Sequence, residues 1–194
     1  MIVLQGNGLS KSYGAKTIFD NISLTITDQD KAGLVGPNGI GKSTLLKCLI
    51  GEEEVEQGVI SKARDIRIGY LSQFADVLEE DKPLLDFVMD EFSDLMGLRF
   101  EIHELQKQIA SPEVYNDPHR LDKVMSSYSS LMERYEREGG YSFESRAKGI
   151  LIGLGFVEAD LNRNLQTFSG GQKTRISLAK LLSRTPNLLI LDEP

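Results

Sequence analysis

The chain has 194 residues, 40% of them hydrophobic, 7% aromatic and 26% charged, with a net charge of −7. That composition excludes collagen-like, disordered and disulfide-scaffold classes, and the length accommodates one domain with a large insertion or two small domains. The single cysteine, Cys48, excludes an intramolecular disulfide and fits a reducing compartment. No run approaches the ~18 consecutive apolar residues of a membrane span. Residues 1–5 lack the basic region and apolar stretch of a secretion signal, so the sequence reads as cytoplasmic. Residues 76–148 hold 17 acidic and 9 basic side chains (−8), and the remainder 12 and 13 (+1). A near-neutral body with an acidic middle section does not coat nucleic acid by charge alone.

Residues 1–72 read as short strands separated by turns. Segments 2–4, 22–27, 32–35 and 66–71 carry the apolar or alternating pattern of strands. Tyr13-Gly14, Asp20-Asn21 and Gly36-Pro37-Asn38-Gly39 carry turn chemistry. One helix interrupts them, over about 42–50, with Leu45, Leu46 and Leu49 on its apolar side and Gly51 ending it. The acidic run Glu52-Glu53-Glu54 then reads as a solvated loop.

From Pro83 the period changes. Leu95, Leu98, Ile102, Leu105 and Ile109 follow a helical 3-4-3-4 spacing, as do Leu121, Val124, Tyr128, Leu131 and Tyr135. Pro112, Asn116, Asp117 and Pro118 interrupt between them, which predicts an antiparallel helical hairpin. Gly139-Gly140 closes it. Further helices are expected over about 142–154 and from Gly170-Gly171 to 183, and the apolar run 187–191 is typical of a buried strand.

Three motifs carry chemistry. Gly36-Pro37-Asn38-Gly39-Ile40-Gly41-Lys42-Ser43 matches G-x-x-x-x-G-K-[ST] between an expected strand and an expected helix, the setting of a phosphate-binding loop. Its glycines let successive backbone N–H groups converge on phosphate oxygens, and the helix start adds its positive dipole end. Lys42 is placed to reach the β- and γ-phosphates and Ser43 to ligate Mg²⁺, with Thr44 completing the nucleotide-binding set. Leu188-Leu189-Ile190-Leu191 ends in Asp192 and Glu193. In a phosphate-loop enzyme such a strand delivers an acid to the metal, here Asp192, directly or through water. Glu193 is the candidate to polarise the attacking water. Ser169-Gly170-Gly171-Gln172 opens a helix and forms a further anion-binding helix start.

The phosphate loop, Phe168-Ser169-Gly170-Gly171-Gln172 and Leu188-Leu189-Ile190-Leu191-Asp192-Glu193-Pro194, in that order, resemble the nucleotide-binding domain of the ABC ATPase superfamily over nearly the whole chain. The resemblance implies an α/β fold: a P-loop NTPase core with an antiparallel β subdomain and an inserted helical subdomain bearing a hairpin. It divides the chain into a β-rich ATP-binding core (1–82), a helical insertion (83–140) and a signature helix with its acid-ended strand (141–194). It implies ATP and Mg²⁺ as the bound species and ATP hydrolysis as the reaction of the complete protein. Gln73, in Tyr70-Leu71-Ser72-Gln73, falls where the family has a glutamine that touches Mg²⁺ and the attacking water. Tyr13 falls where the family stacks an aromatic ring on adenine, and Phe168 keeps an apolar anchor where the signature usually has Leu.

Ninety-four residues separate Gln73 from Phe168, more than the compact helical subdomain of a transporter ATPase needs. The surplus, with Lys173-Thr174-Arg175 after the signature, resembles the ABC-F proteins, which carry two ATPase domains in one chain, lack membrane domains and act on ribosomes. The resemblance implies a translation factor or a ribosome-protecting resistance protein; the alternative is the ATPase subunit of an ABC transporter. An ATPase of DNA repair would carry a far longer coiled coil. The family's switch histidine has no counterpart here, because His103 and His119 fall in the hairpin and read as surface residues. The chain is therefore expected to be an N-terminal fragment whose signature, Ser169 to Gln172, serves the nucleotide of a second ABC domain. It is expected to bind ATP weakly and to hydrolyse it poorly by itself.

Overall fold

The computed structural model describes residues 1–72 and 80–192. Gln73 and Glu193 lie outside the described residues. Two compact units make up the chain: residues 1–76 with 184–194, and residues 77–183.

In the first unit, β1 (Ile2–Tyr13) and β2 (Lys16–Thr27) form a long antiparallel hairpin, and β3 (Gln57–Lys62) pairs antiparallel with the other edge of β1. Beneath it lies α1 (Lys42–Ile50), whose Leu45, Cys48 and Leu49 close a core with Leu4, Leu9 and Phe19. The helix ends at Gly51, whose backbone is left-handed (φ 97°) and whose N–H bonds the Lys47 carbonyl at 3.0 Å, the αL cap for which glycine is suited. A second sheet pairs β4 (Ile68–Leu71) in parallel with β5 (Leu188–Leu191). Asn187 sets its register from the side: its Oδ1 accepts the Arg67 N–H at 2.7 Å and its own N–H returns to the Arg67 carbonyl at 3.0 Å.

The second unit is helical: α2 (Leu84–Met89), α3 (Ser93–Ala110), α4 (Pro112–Tyr115), α5 (Pro118–Arg137), α6 (Phe143–Gly153) and α7 (Gly170–Ser183). This unit runs on through the helix that opens at Gly170 to residue 183. α3 and α5 are the expected hairpin, about 27 and 30 Å long at ~1.5 Å per residue. Pro112 and Pro118 do not merely stop helices; each occupies the first turn of the next one, where its missing N–H is harmless. Asp117 caps α5 by accepting the N–H groups of His119 and Arg120. Burial grades along the hairpin: Leu95, Leu98, Ile102 and Tyr135 at its root are buried, whereas Leu105, Ile109, Leu121 and Val124 toward the tip are half-buried. Gly140 is required at the root because a Cβ there would run into the Tyr135 ring. The core of the unit joins α2, α3, α6 and α7 through Leu84, Phe87, Val88, Leu98, Phe143, Ala147, Leu151, Ile176 and Ala179.

Two expectations change, and one strand forms that the sequence pattern does not announce. Asp20-Asn21 is not a turn but a bulge inside β2, where one extra residue is absorbed between the Leu9–Ile22 and Lys11–Phe19 pairs. Asn21 takes a left-handed φ of 52° and its N–H bonds Ser10 Oγ at 3.0 Å, while Ser10 Oγ donates to Asp20 at 2.7 Å. The residue types that serve a turn serve a bulge equally well. Segment 32–35 does not form a strand; nothing among the described residues pairs with it, and Val35 is 94% exposed. A strand needs a hydrogen-bonded neighbour, so an apolar run alone does not make one. β3 is the converse: a strand exposed except at half-buried Ile60, hence without an apolar signal.

Leu151 is fully buried and the adjacent Ile152 is 44% exposed. Leu151→Ala is expected to lower stability by about 2–5 kcal/mol and Ile152→Ala by less than about 0.5 kcal/mol, read by urea denaturation followed by circular dichroism.

Candidate nucleotide-binding site

The loop Gly36 to Gly41 runs directly into α1, and a cavity of about 270 Å³ opens between Ile18, Asn38, Gly39, Gly41, Lys42, Ser43 and Thr44. Gly41, at the helix start, has φ 106°, and a Cβ there would drive into the Ile18 side chain. Both facts demand glycine. The Lys42 ammonium folds back over the loop and donates to the carbonyls of Gly36 at 2.9 Å and Pro37 at 3.2 Å. It thereby holds a positive charge above the turn that leads into the helix start. Of the expected loop residues, Gly36 is half-buried and Pro37, Asn38, Gly39 and Ile40 are exposed, with Ser43 and Thr44 half-buried in the first turn of α1.

The electrostatics of that helix start are distinctive. Among the described residues, α2, α3, α4 and α6 each carry an acidic residue in the first turn, and α5 has its Asp117 cap. The first turns of α1 and α7 carry none. Their positive dipole ends are not neutralised from within, the condition for binding an anion there. These are the helices that open with the phosphate loop and with the signature.

Asp192 is the second anchor of the first unit. It sits at the end of β5, only 5% exposed, with its N–H bonded to the Leu71 carbonyl at 2.9 Å. Tyr70 Oη donates to Asp192 Oδ2 at 3.4 Å. Burial and then the Asp192 charge push the Tyr70 phenol up to about 12, so it remains a neutral donor to the carboxylate. Tyr13 ends β1, half exposed, and its hydroxyl donates to Glu53. That bond, followed by desolvation, raises the Tyr13 pKa, and a hydrogen bond with Thr44 at the head of α1 works against it. Glu53 therefore departs from the solvated-loop reading: Glu52 and Glu54 are exposed, but Glu53 is half-buried. Charge-run composition carried no sign of this role, since its partner lies 40 residues away.

The signature belongs to the other unit. Phe168 is buried edge-on against Phe156, ring centroids 5.7 Å apart, with the Arg163 guanidinium 4.3 Å from its ring. Ser169, Gly170 and Gly171 are exposed, Gln172 half-buried. Gln172 reaches back so that its Oε1 accepts the Ser169 N–H at 2.9 Å, half of a capping box. Arg175 ties the helix to α6 through the Leu154 carbonyl at 2.9 Å. His103 and His119 are surface residues on the hairpin.

A phosphate loop at a helix start, an acid-ended strand in the same unit and a glycine-opened helix define a nucleotide-binding domain of the P-loop class. The chain belongs to the ABC transporter family, whose profile matches residues 19–194. Similar proteins include YdiF of Bacillus subtilis, 41% identical over all of this chain and 29% of that protein. The tylosin resistance ATP-binding protein TlrC of Streptomyces fradiae is 35% identical over 97% of this chain and 34% of that protein. ABC transporter F family member 2 of Arabidopsis thaliana is 32% identical over 96% and 27%. The chain thus spans about a third of the length of the curated relatives it matches. Among solved structures, an ATP-binding subunit of an ABC transporter shares the fold with a TM-score of 0.64 and 21% identity, covering 99% of this chain and 66% of that one. Among the described residues, no helix is long and apolar enough to cross a membrane.

Gly41→Ala and Gly171→Ala separate the two helix starts. The first adds a strained left-handed alanine and a clash, and is expected to cost about 1–3 kcal/mol and to abolish ATP binding. At Gly171 a Cβ meets open space, so stability is expected to stay within about 0.5 kcal/mol. Thermal melts with and without ATP check both.

Proposed function

We propose that this chain is an ATP-binding domain of an ABC-F-type protein whose ATP-dependent pairing with a second ABC domain drives association with the ribosome. The observation that carries the nucleotide part is the loop cavity over Gly41, Lys42, Ser43 and Thr44 at a helix start free of acidic residues. The ribosome part is supported by the length of the α3–α5 hairpin and by relatives that include an F family member and a tylosin resistance protein.

In this reading the backbone N–H groups of residues 38–44 and the Lys42 ammonium bind the β- and γ-phosphates. Among the described residues no cluster of three or more His, Cys, Asp or Glu could cage a metal. Mg²⁺ does not need such a cage, because it keeps several waters and takes a few protein oxygens beside those of the substrate phosphates. Ser43, Asp192 and Gln73 would supply those oxygens, and the bound ion would neutralise charge between the β- and γ-phosphates. Tyr70 keeps the Asp192 carboxylate oriented. Glu193 accepts a proton from the water that attacks the γ-phosphorus as ADP leaves. Ser169, Gly170, Gly171 and Gln172 bind the γ-phosphate side of the nucleotide held by the second domain, and the partner's signature completes the site here.

Two outcomes follow. By itself the chain is expected to turn ATP over far below the ~1–10³ per second typical of enzymes, in a steady-state phosphate-release assay. The complete protein carrying Glu193→Gln is expected to co-sediment with ribosomes when ATP is present and not without it. Absence of pelleting, with ATP binding intact, would overturn the ribosome reading in favour of a transporter ATPase.

A further inference from the structure

The acidic turn after α1 is wired to the tip of the β1–β2 hairpin. The Tyr13 hydroxyl donates to Glu53, a charge-assisted bond. Glu53 is itself placed by the end of α1: the N–H groups of Glu52 and Glu53 bond the Lys47 carbonyl at 2.9 and 3.3 Å, and Lys47 Nζ stands 4.0 Å from the Glu53 carboxylate. On the same ring, the Lys11 ammonium lies 5.3 Å from the Tyr13 centroid, within cation–π range. That ammonium is held in turn by the Glu54 carbonyl at 2.7 Å. A tyrosine at a hairpin end, half exposed, would otherwise rotate freely about two torsions. Here its hydroxyl is fixed from one side and one ring region is covered by a tethered cation.

We propose that Glu53 and Lys11 are positioning residues that hold the Tyr13 ring as a preset platform for the nucleotide base. The proposal rests on the reading of Tyr13 as the base-stacking residue. A side chain ordered before the ligand arrives spares the complex the cost of ordering it, which appears as affinity. The arrangement also gives α1 a task at each end. Its first turn carries the phosphate cradle, and the turn after its last residue carries the clamp on the base platform. The distance between phosphate and base sites is then fixed by one nine-residue helix.

The test compares two ligands on the intact protein: ATP, and inorganic tripolyphosphate, which offers phosphates and no base, both with Mg²⁺. Calorimetric titration of Glu53→Ala is expected to show roughly three- to tenfold weaker ATP binding, the scale of one side chain losing its preorganisation, with tripolyphosphate affinity unchanged. Glu53→Gln, which keeps a hydrogen-bond acceptor, should recover most of the loss, and Lys11→Met should weaken ATP alone. Tyr13→Phe keeps the ring without its anchor and serves as a second variant should Glu53→Ala fold poorly; adding Glu53→Ala to it should cost nothing further. Equal loss for both ligands, or ATP binding unchanged in both Glu53→Ala and Tyr13→Phe, overturns the proposal. Tyr13→Ala isolates the underlying reading. If it leaves ATP affinity unchanged, the stacking role fails; if it weakens ATP while Glu53→Ala and Lys11→Met do not, stacking stands and the clamp falls.

Discussion

The parallel pairing of β4 with β5 is the constraint on which the first unit depends. Its partners are far apart in sequence, Asn187 standing 120 positions after Arg67, so closing the pair costs loop entropy before any contact rewards it. Four residue pairs and the side-on bonds of Asn187 are what recover that cost. The consequence is positional. Because Leu71 pairs with Leu191, the next residue, Asp192, is delivered with its N–H on the Leu71 carbonyl and its carboxylate beside Tyr70. The helical unit is an insertion between two strands that must still find each other.

Within the first unit, α1 does more than fill the space under the sheet. Its buried face, Leu45, Cys48 and Leu49, locks it to β1 and β2, and both of its ends are shaped by glycines in left-handed conformations, Gly41 and Gly51. One opens the helix at the end of the glycine-rich loop; the other turns the chain so that Glu53 faces back toward Tyr13. Rigid packing of the middle thus sets the geometry of two polar ends, a division of labour between apolar burial and hydrogen bonding.

Much of this was legible from residues alone. The phosphate loop, α1, the two long amphipathic stripes and the strand ending in Asp192 are all local patterns: glycine spacing, helical periodicity, an apolar run. What escaped depends on neighbours. The Asp20-Asn21 pair has the chemistry of a turn, and only the ladder with Ser10 and Leu9 makes it a bulge. Residues 32–35 have the apolar character of a strand without a partner to define one. β3 exists because β1 offers an edge, not because Gln57–Lys62 announces itself. Glu53 resembled its flanking glutamates in composition and differs from them in having Tyr13 within reach.

The graded burial of the α3–α5 hairpin has a mechanical meaning. At the root, Leu95, Leu98 and Ile102 share one packed core with α2, α6 and α7, whereas toward the tip the half-buried residues of the two helices pack mainly against each other and against α4. Amide protection should therefore decline outward along the same two helices, because opening the tip breaks few apolar contacts and opening the root disrupts the whole unit. The arm is built as a cantilever: its root shares the core of the unit with α2, α6 and α7, and its outer end is carried by the half-buried contacts of its own helices.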